Sequence, residues 1–200
     1  MNLRRQTIVS VAAGTTLNDL VHLLAPDYNI YKTERIIAMQ EKRAPRIHDT
    51  VAEPVLFRVV PNTAAEVLES VTFIASQGAT EEQISIIYRL FSSIGYTMVI
   101  SEKLIPAGTS LASCGIAFAM RYIRAAMEGG VELGFRPEEA ERIVEHTVKG
   151  AATLLLQTGI HPKAAIDQVT TAGGITIKGL NAMERSKFTH SVIEGLKASK

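Results

Sequence analysis

The chain has 200 residues, 46% of them apolar, and a formal net charge of +1. That is enough apolar material for one or two small domains with a real core, and the balanced charge excludes the electrostatic footprint of a nucleic-acid binder and a polybasic membrane anchor. The lone cysteine, Cys114, excludes an intrachain disulfide framework and makes a reducing, cytoplasmic setting the default.

The N-terminus carries Arg4 and Arg5 but no apolar run long enough for a signal peptide, and no stretch reads as long enough for a transmembrane helix. Thr7 to Val11 reads as a buried strand, ended by Ala12-Ala13-Gly14. Thr16 and Asp19 stand at capping-box spacing, with an acid where Glu or Gln is usual, before a helix with Leu17, Leu20, Val21 and Leu24 on one face. Pro26 is expected to stop it. Lys32 to Pro54 is charged and weakly periodic and reads as an exposed insertion, partly helical or mobile. Its acids interleave with its bases, which argues against a nucleic-acid patch.

Val55 to Val60 and Val71 to Ala75 read as strands. Thr80 and Gln83 form a capping box before a helix carrying Ile84, Ile87, Leu90 and Phe91, and Tyr96 to Ile100 is a last strand. Strand and helix in alternation imply part of an α/β sheet. The second half is helical. Small and apolar residues fill Pro106 to Leu133, with Gly108 and Gly115 as interruptions. Pro137 opens a helix whose first turn is acidic, and Gly159 caps its end. A short helix fits His161 to Val169. A last helix is expected from Thr176 to Lys197, with Leu180, Met183, Phe188, Val192 and Leu196 as buried positions.

The most informative stretch is Asp167-Gln168-Val169-Thr170-Thr171-Ala172-Gly173-Gly174-Ile175-Thr176-Ile177. Adjacent glycines between hydroxyl residues, just before a helix, let backbone N–H groups approach a ligand. The helix N-terminus adds unpaired donors and partial positive charge, a combination suited to a carboxylate or phosphate. A plain helix–helix turn with Thr as N-cap fits the same spacing. His146 and His161 form no metal-ligand pattern with another His or Cys, so no metal is expected. Cys114 has no His close in sequence and reads as a buried small residue rather than a nucleophile.

This run resembles the D-x-V-[ST]-[ST]-P-G-G-[TA]-T-I signature of pyrroline-5-carboxylate reductases, with Ala172 in place of the family's proline. Thr109 to Phe118 resembles that family's T-A-L-S-G-S-G-P-A-Y segment, which bends a long helix near the active site. Here Cys114 and Ile116 replace Ser and Pro. His161-Pro162 matches its H-P dipeptide, Ile8 to Gly14 its I-S-x-A-A-G strand end, and Pro61-Asn62-Thr63 its M-P-N-T-P motif, with Val60 and Ala64 as departures. The likeness runs over about 7–31 and 58–199 and is interrupted at Lys32 to Phe57.

The resemblance implies an NAD(P)H-dependent reductase of proline biosynthesis that moves a hydride to the imine of 1-pyrroline-5-carboxylate to give L-proline. It implies substrate binding by Val169, Thr171, Gly173, Gly174 and Thr176, with Thr176 the hydrogen-bond donor closest to the chemistry. It also implies contacts of Ala12, Ala13, Gly14, Pro61 and Asn62 with the nicotinamide end of NADPH or NADH. The expected fold is an α/β N-terminal part over 1–100, an incomplete Rossmann-like sheet with an insertion at about 32–57. An all-α dimerisation and substrate-binding domain over 101–200 follows. The expected partner is a second copy, as homodimer or higher oligomer, because apolar helices need cover. In the family such helices interlock between subunits and build the active site at the shared interface.

No G-x-G-x-x-G turn occurs in the sequence, and the family carries it ahead of the segment matched here. A truncated reductase is therefore expected, and a non-catalytic dimerisation module or gene fragment is the competing reading. A helical scaffold holding another ligand at the glycine loop is a third.

Overall fold

The computed structural model describes residues 7–24, 26–43 and 54–200, and the chain divides into two compact units between Ser113 and Cys114. The first unit is built on four strands: β1 (Thr7–Ser10), β2 (Val55–Val60), β3 (Ser70–Gln77) and β4 (Gly95–Val99). They lie side by side in that order. β1 pairs with β2 in parallel, with Ser10 opposite Arg58, and β3 with β4 in parallel. The central pair β2–β3 is antiparallel. The short 61–69 link allows only that, because a parallel return needs a crossover of a dozen residues or more. The sheet is thus mixed, with alternating strand and helix on either side of an antiparallel centre.

Both faces of β2 are covered, so VLFRVV reads as a nearly continuous apolar run. Helix α1 (Leu17–Leu24) lays Leu17, Leu20 and Val21 against Leu56, Val60, Phe73 and Ala75, joined by Ile105. On the opposite face Ile87 of α3 (Glu81–Ser92) packs on Phe57, Val59 and Ile74. Leu90, expected to face inward, is 60% exposed.

Local sequence sets both helix starts. The Thr80 hydroxyl accepts from Gln83 N–H, and the Gln83 side chain accepts from Thr80 N–H. At α1 an aspartate serves as the partner: Asp19 Oδ2 accepts from the Thr16 amide at 2.9 Å and the Thr16 hydroxyl at 2.7 Å. Asp19 N–H returns a bond to Thr16 Oγ1 at 3.1 Å. The Thr16 hydroxyl, then its amide, hold the Asp19 carboxyl below its ordinary value. A depressed carboxyl pKa stabilises the fold above the unfolded value of about 4, and that contribution is lost as pH falls through the lowered one.

Pro26 does not end the helical region. It is the first residue of α2 (Pro26–Gln40), where its missing N–H costs nothing because first-turn amides lack helical partners anyway. The segment read as an insertion is therefore helical as far as Gln40. Arg43 bonds Glu34 and Glu41, so acids and bases pair. Residues 44–53 lie outside the described residues. Pro54 is fully buried and Val55 to Phe57 belong to a core strand, so this end of the segment is not exposed.

From Glu102 the chain is helical for 31 residues. A 3₁₀ turn leads into α4 (Ile105–Thr109), a π turn over Ser110–Cys114, and α5 (Gly115–Glu132). Gly108 and Gly115 do not interrupt this run. Gly108 sits inside α4 because a side chain there would meet the Phe73 ring at 2.8 Å. Once joined, Glu102–Glu132 is long and apolar enough to cross a membrane by length and composition alone, which corrects the expectation that no stretch is.

In the second unit α6 (Pro137–Thr158) starts on Pro137 and ends at Gly159, which has φ 65°. Short α7 (Pro162–Gln168) follows. The expected single last helix is two, α8 (Ile175–Arg185) and α9 (Phe188–Ala198), broken at Lys187 with φ 62°. No Gly or Pro announces the break. Its product is the edge-to-face contact of Phe188 with Tyr122 of α5, ring centroids 6.4 Å apart, and tertiary packing overrides local propensity here. A cleft of about 540 Å³ lined by Phe118, Tyr122, Met183, Phe188 and Val192 remains beside that contact.

Ala140 is the one residue of Cys114–Lys200 that is buried. Met183, Phe188 and Val192, expected in a core, are 38%, 42% and 42% exposed, and Leu180 and Leu196 are half-buried. The helical unit does not cover its own apolar faces.

Gly95 opens β4 at φ 141°, and a side chain there would stand 2.2 Å from the Ser70 carbonyl oxygen. Gly95→Ala is expected to destabilise the protein by about 3 kcal/mol through strain and overlap with backbone, read as a lower urea midpoint at unchanged slope.

Candidate functional site

The glycine loop joins α7 to α8. The Val169 amide bonds the Ile166 carbonyl and the Thr170 amide the Asp167 carbonyl, while Thr170 Oγ1 donates to one or other of the same two carbonyls, 3.1 Å from each. The end of α7 is thereby closed. A tight turn follows: Gly174 N–H donates to the Thr171 carbonyl at 3.0 Å, with Gly173 at φ 71°. A positive φ at the third position alone makes this a type II turn, in which Gly is favoured third and Pro second. Ala172 holds that second place. A side chain on Gly174 would stand 2.6 Å from the Thr171 hydroxyl, so both glycines have steric reasons to be there.

Gly174 is also the N-cap of α8, with no side-chain cap and no acidic residue in the first turn. The amides of Ile175, Thr176 and Ile177 have no partner within the helix, and the positive end of its dipole is not neutralised. Val169 and Ile175 are 61% and 87% exposed, and Thr171, Gly173 and Thr176 are exposed as well. These residues of the turn and of the first turn of α8 are thus solvent-exposed. The Gly174 amide is committed to the turn. The amides of Ile175, Thr176 and Ile177 that follow it are the ones without an intrahelical partner. No residue from Gln168 to Ile177 titrates. His161 is a structural residue, the N-cap of α7, with Nδ1 accepting from Lys163 N–H at 3.2 Å. Cys114, at the end of the π turn, is half-buried.

The strand-end segments lie in the first unit. β1 and β2 are parallel, so Ala12–Gly14 and Pro61-Asn62 leave the same edge of the sheet. Thr15 N–H closes a turn on the Ala12 carbonyl at 3.1 Å. A side chain at Gly14 would meet nothing within 4 Å, so this rim is small and open. Asn62 is 8% exposed. Its Oδ1 accepts from Ala64 N–H at 3.2 Å and Val71 N–H at 3.4 Å, and its Nδ2 donates to the Ala112 carbonyl at 3.3 Å in the π turn. The Asn62 side chain is thus engaged within the chain. The open small-residue rim fits the nicotinamide and ribose end of a dinucleotide. Nothing in the sequence supplies a Gly-x-Gly-x-x-Gly seat for its pyrophosphate.

Comparison with known proteins gives one answer. The family described as pyrroline-5-carboxylate reductase dimerisation matches residues 102–200. Pyrroline-5-carboxylate reductase 2 of Dictyostelium discoideum is 35% identical over 90% of this chain and 64% of its own length. The chain belongs to the pyrroline-5-carboxylate reductase family. Pyrroline-5-carboxylate reductase 1 of the same organism is 42% identical over 72% of this chain and 28% of its own length. The chain therefore spans less than two thirds of either relative. The crystal structure of Plasmodium falciparum pyrroline carboxylate reductase with NADP bound shares the fold, with a TM-score of 0.78 at 21% identity, covering 98% of this chain and 69% of that one.

Sequence reasoning missed one buried group beside these segments. Arg58, 7% exposed on β2, donates from Nη2 to the Ala13 carbonyl at 2.6 Å and from Nη1 to Glu102 Oε1 at 3.1 Å. The available signal was a charge at the centre of an otherwise apolar six-residue strand, a place where an unpaired cation is rarely tolerated.

The second position of a type II turn, held here by Ala172, favours proline. Ala172→Pro pre-sets the second turn position and is expected to stabilise the protein by about 0.5–1 kcal/mol, measured as a higher unfolding midpoint.

Proposed function

We propose that this protein works as a pyrroline-5-carboxylate reductase, with the turn Thr171–Gly174 and the first turn of α8 holding the carboxylate of 1-pyrroline-5-carboxylate. The observation that carries this is an exposed type II turn opening a helix whose first amides are uncapped and un-neutralised. A carboxylate there satisfies several donors at once and meets the favourable end of the dipole. Thr176, at the second helical position, adds a hydroxyl to its amide and is the residue assigned to hydrogen-bond the substrate. Val169 precedes the turn and Thr171 opens it. Gly173 provides the φ the turn needs, and Gly174 closes it.

Anchoring the carboxylate fixes the position of the ring, and fixing position is the main demand of this reaction. The absence of a titratable side chain from Gln168 to Ile177 suits a substrate whose protonated imine is already electrophilic, so no strong general acid is required. NAD(P)H, when bound, supplies the hydride that reaches the imine carbon. Ala12, Ala13, Gly14 and Pro61 would border its nicotinamide end, and Asn62 would keep that border in place through its bonds to 64, 71 and 112. The product is L-proline.

The same reading makes 101–200 the dimerisation and substrate-binding segment. The apolar surface of Glu102–Glu132 is assigned to a second subunit rather than to a bilayer, because the dimerisation family begins its match at residue 102. A homodimer is the expected minimal species. Sedimentation equilibrium at micromolar concentration should return twice the chain mass. A stable monomer would reject the assignment.

Thr176→Ala should raise the KM for 1-pyrroline-5-carboxylate by about tenfold, with the KM for NADPH within about twofold of wild type. Steady-state kinetics with each substrate varied in turn checks this, and equal effects on both constants would remove Thr176 from its assigned role.

A further inference from the structure

Arg58 lies on the face of β2 that carries Leu56 and Val60, against α1. Burying a guanidinium is unfavourable unless its charge and donors are matched, and an apolar side chain of similar size would serve packing at least as well. Two of its nitrogens are matched. Nη1 meets Glu102 Oε1 at 3.1 Å and Nη2 the Ala13 carbonyl at 2.6 Å, while Nε is buried with no partner. The same Glu102 oxygen accepts the first amide of α1, Leu17 N–H, at 2.7 Å. One buried cation and its carboxylate thus tie three places together: the turn after β1, the start of α1 and the start of the helical run at Glu102. The turn has little else to hold it. Its own bonds are Thr15 N–H to the Ala12 carbonyl at 3.1 Å and Ala12 N–H to Ser10 Oγ at 3.3 Å.

We propose that Arg58 is a positioning residue for cofactor binding. Through the Ala13 carbonyl it sets the Ala12–Gly14 turn, and Glu102 holds the guanidinium and the α1 amide in place. This rests on the cofactor side proposed above. The fork geometry is essential, because a lysine keeps the charge but cannot hold Glu102 and the Ala13 carbonyl in fixed directions together.

The test uses the full chain as Arg58→Lys and Arg58→Met, with Glu102→Gln as a milder variant should Arg58→Met fail to fold. Amide hydrogen exchange of the ligand-free protein is expected to speed up by about tenfold at Ala12 to Leu17 in Arg58→Lys. The KM for NADPH is expected to rise about tenfold, with the KM for 1-pyrroline-5-carboxylate within about twofold of wild type. Glu102→Gln should shift both readouts the same way, by less. A lower Tm with exchange at Ala12 to Leu17 unchanged would mean that Arg58 only packs, and would overturn the proposal. Faster exchange with an unchanged KM for NADPH would overturn it as well. If the wild type itself shows no NADPH-dependent turnover, the functional reading fails separately. Exchange then decides the tie alone: acceleration supports it, and no change overturns it.

Discussion

Apolar helices that do not bury their own faces constrain everything in the second half of this protein. From Cys114 to Lys200 only Ala140 is buried, while Leu154, Leu156, Val192 and Ile193 are 42% to 85% exposed. Fully burying one such side chain is worth about 1.5–3 kcal/mol, so a surface of this kind drives association. The dimerisation family matched over 102–200 gives that surface its partner class. The fold of the helical unit and its assembly are then one problem rather than two.

The candidate site belongs to the same unit and uses what side-chain packing leaves free. Between α7 and α8 the chain has no titratable group, and apart from the Thr170 and Thr171 hydroxyls its polarity is that of the backbone. Gly173 and Gly174 bend it tightly enough to present the start of α8 bare. In the first unit the parallel pair β1–β2 presents a rim of small residues in a similar way, with Arg58 and Asn62 engaged beneath it. On the reading proposed above, side chains set the backbone and backbone groups make the contacts. This division of labour suits a reaction in which a cofactor brings the chemistry and the protein brings placement.

Much of this was readable from residue spacing. The strand Val55–Val60, the capping box at Thr80 and Gln83, Pro137 as a helix start and Gly159 as its end all rest on local rules, and local rules hold where neighbours agree with them. The features that escaped depend on distant partners. Gly108 looks like a helix breaker until the Phe73 ring is seen beside it. Lys187 takes a left-handed conformation with no glycine to announce it, and the gain lies at Tyr122. Pro26 reads as a stop and acts as a start. At the site, the pair of glycines and the flanking hydroxyls were legible as a tight turn before a helix. Which amides remain free was not, because the Gly174 N–H closes on the Thr171 carbonyl. Arg58 was overlooked because its partners, Ala13 and Glu102, lie 45 and 44 residues away.

The most direct measurement is a two-dimensional amide NMR titration of the isotope-labelled protein with L-proline and, separately, with pyrrolidine, which has the ring without the carboxylate. If the mouth of α8 grips the carboxylate, proline shifts the amide signals of Ile175, Thr176 and Ile177 in a saturable way and pyrrolidine leaves them in place. Equal responses to the two ligands, or saturable shifts from proline confined to other residues, would contradict it.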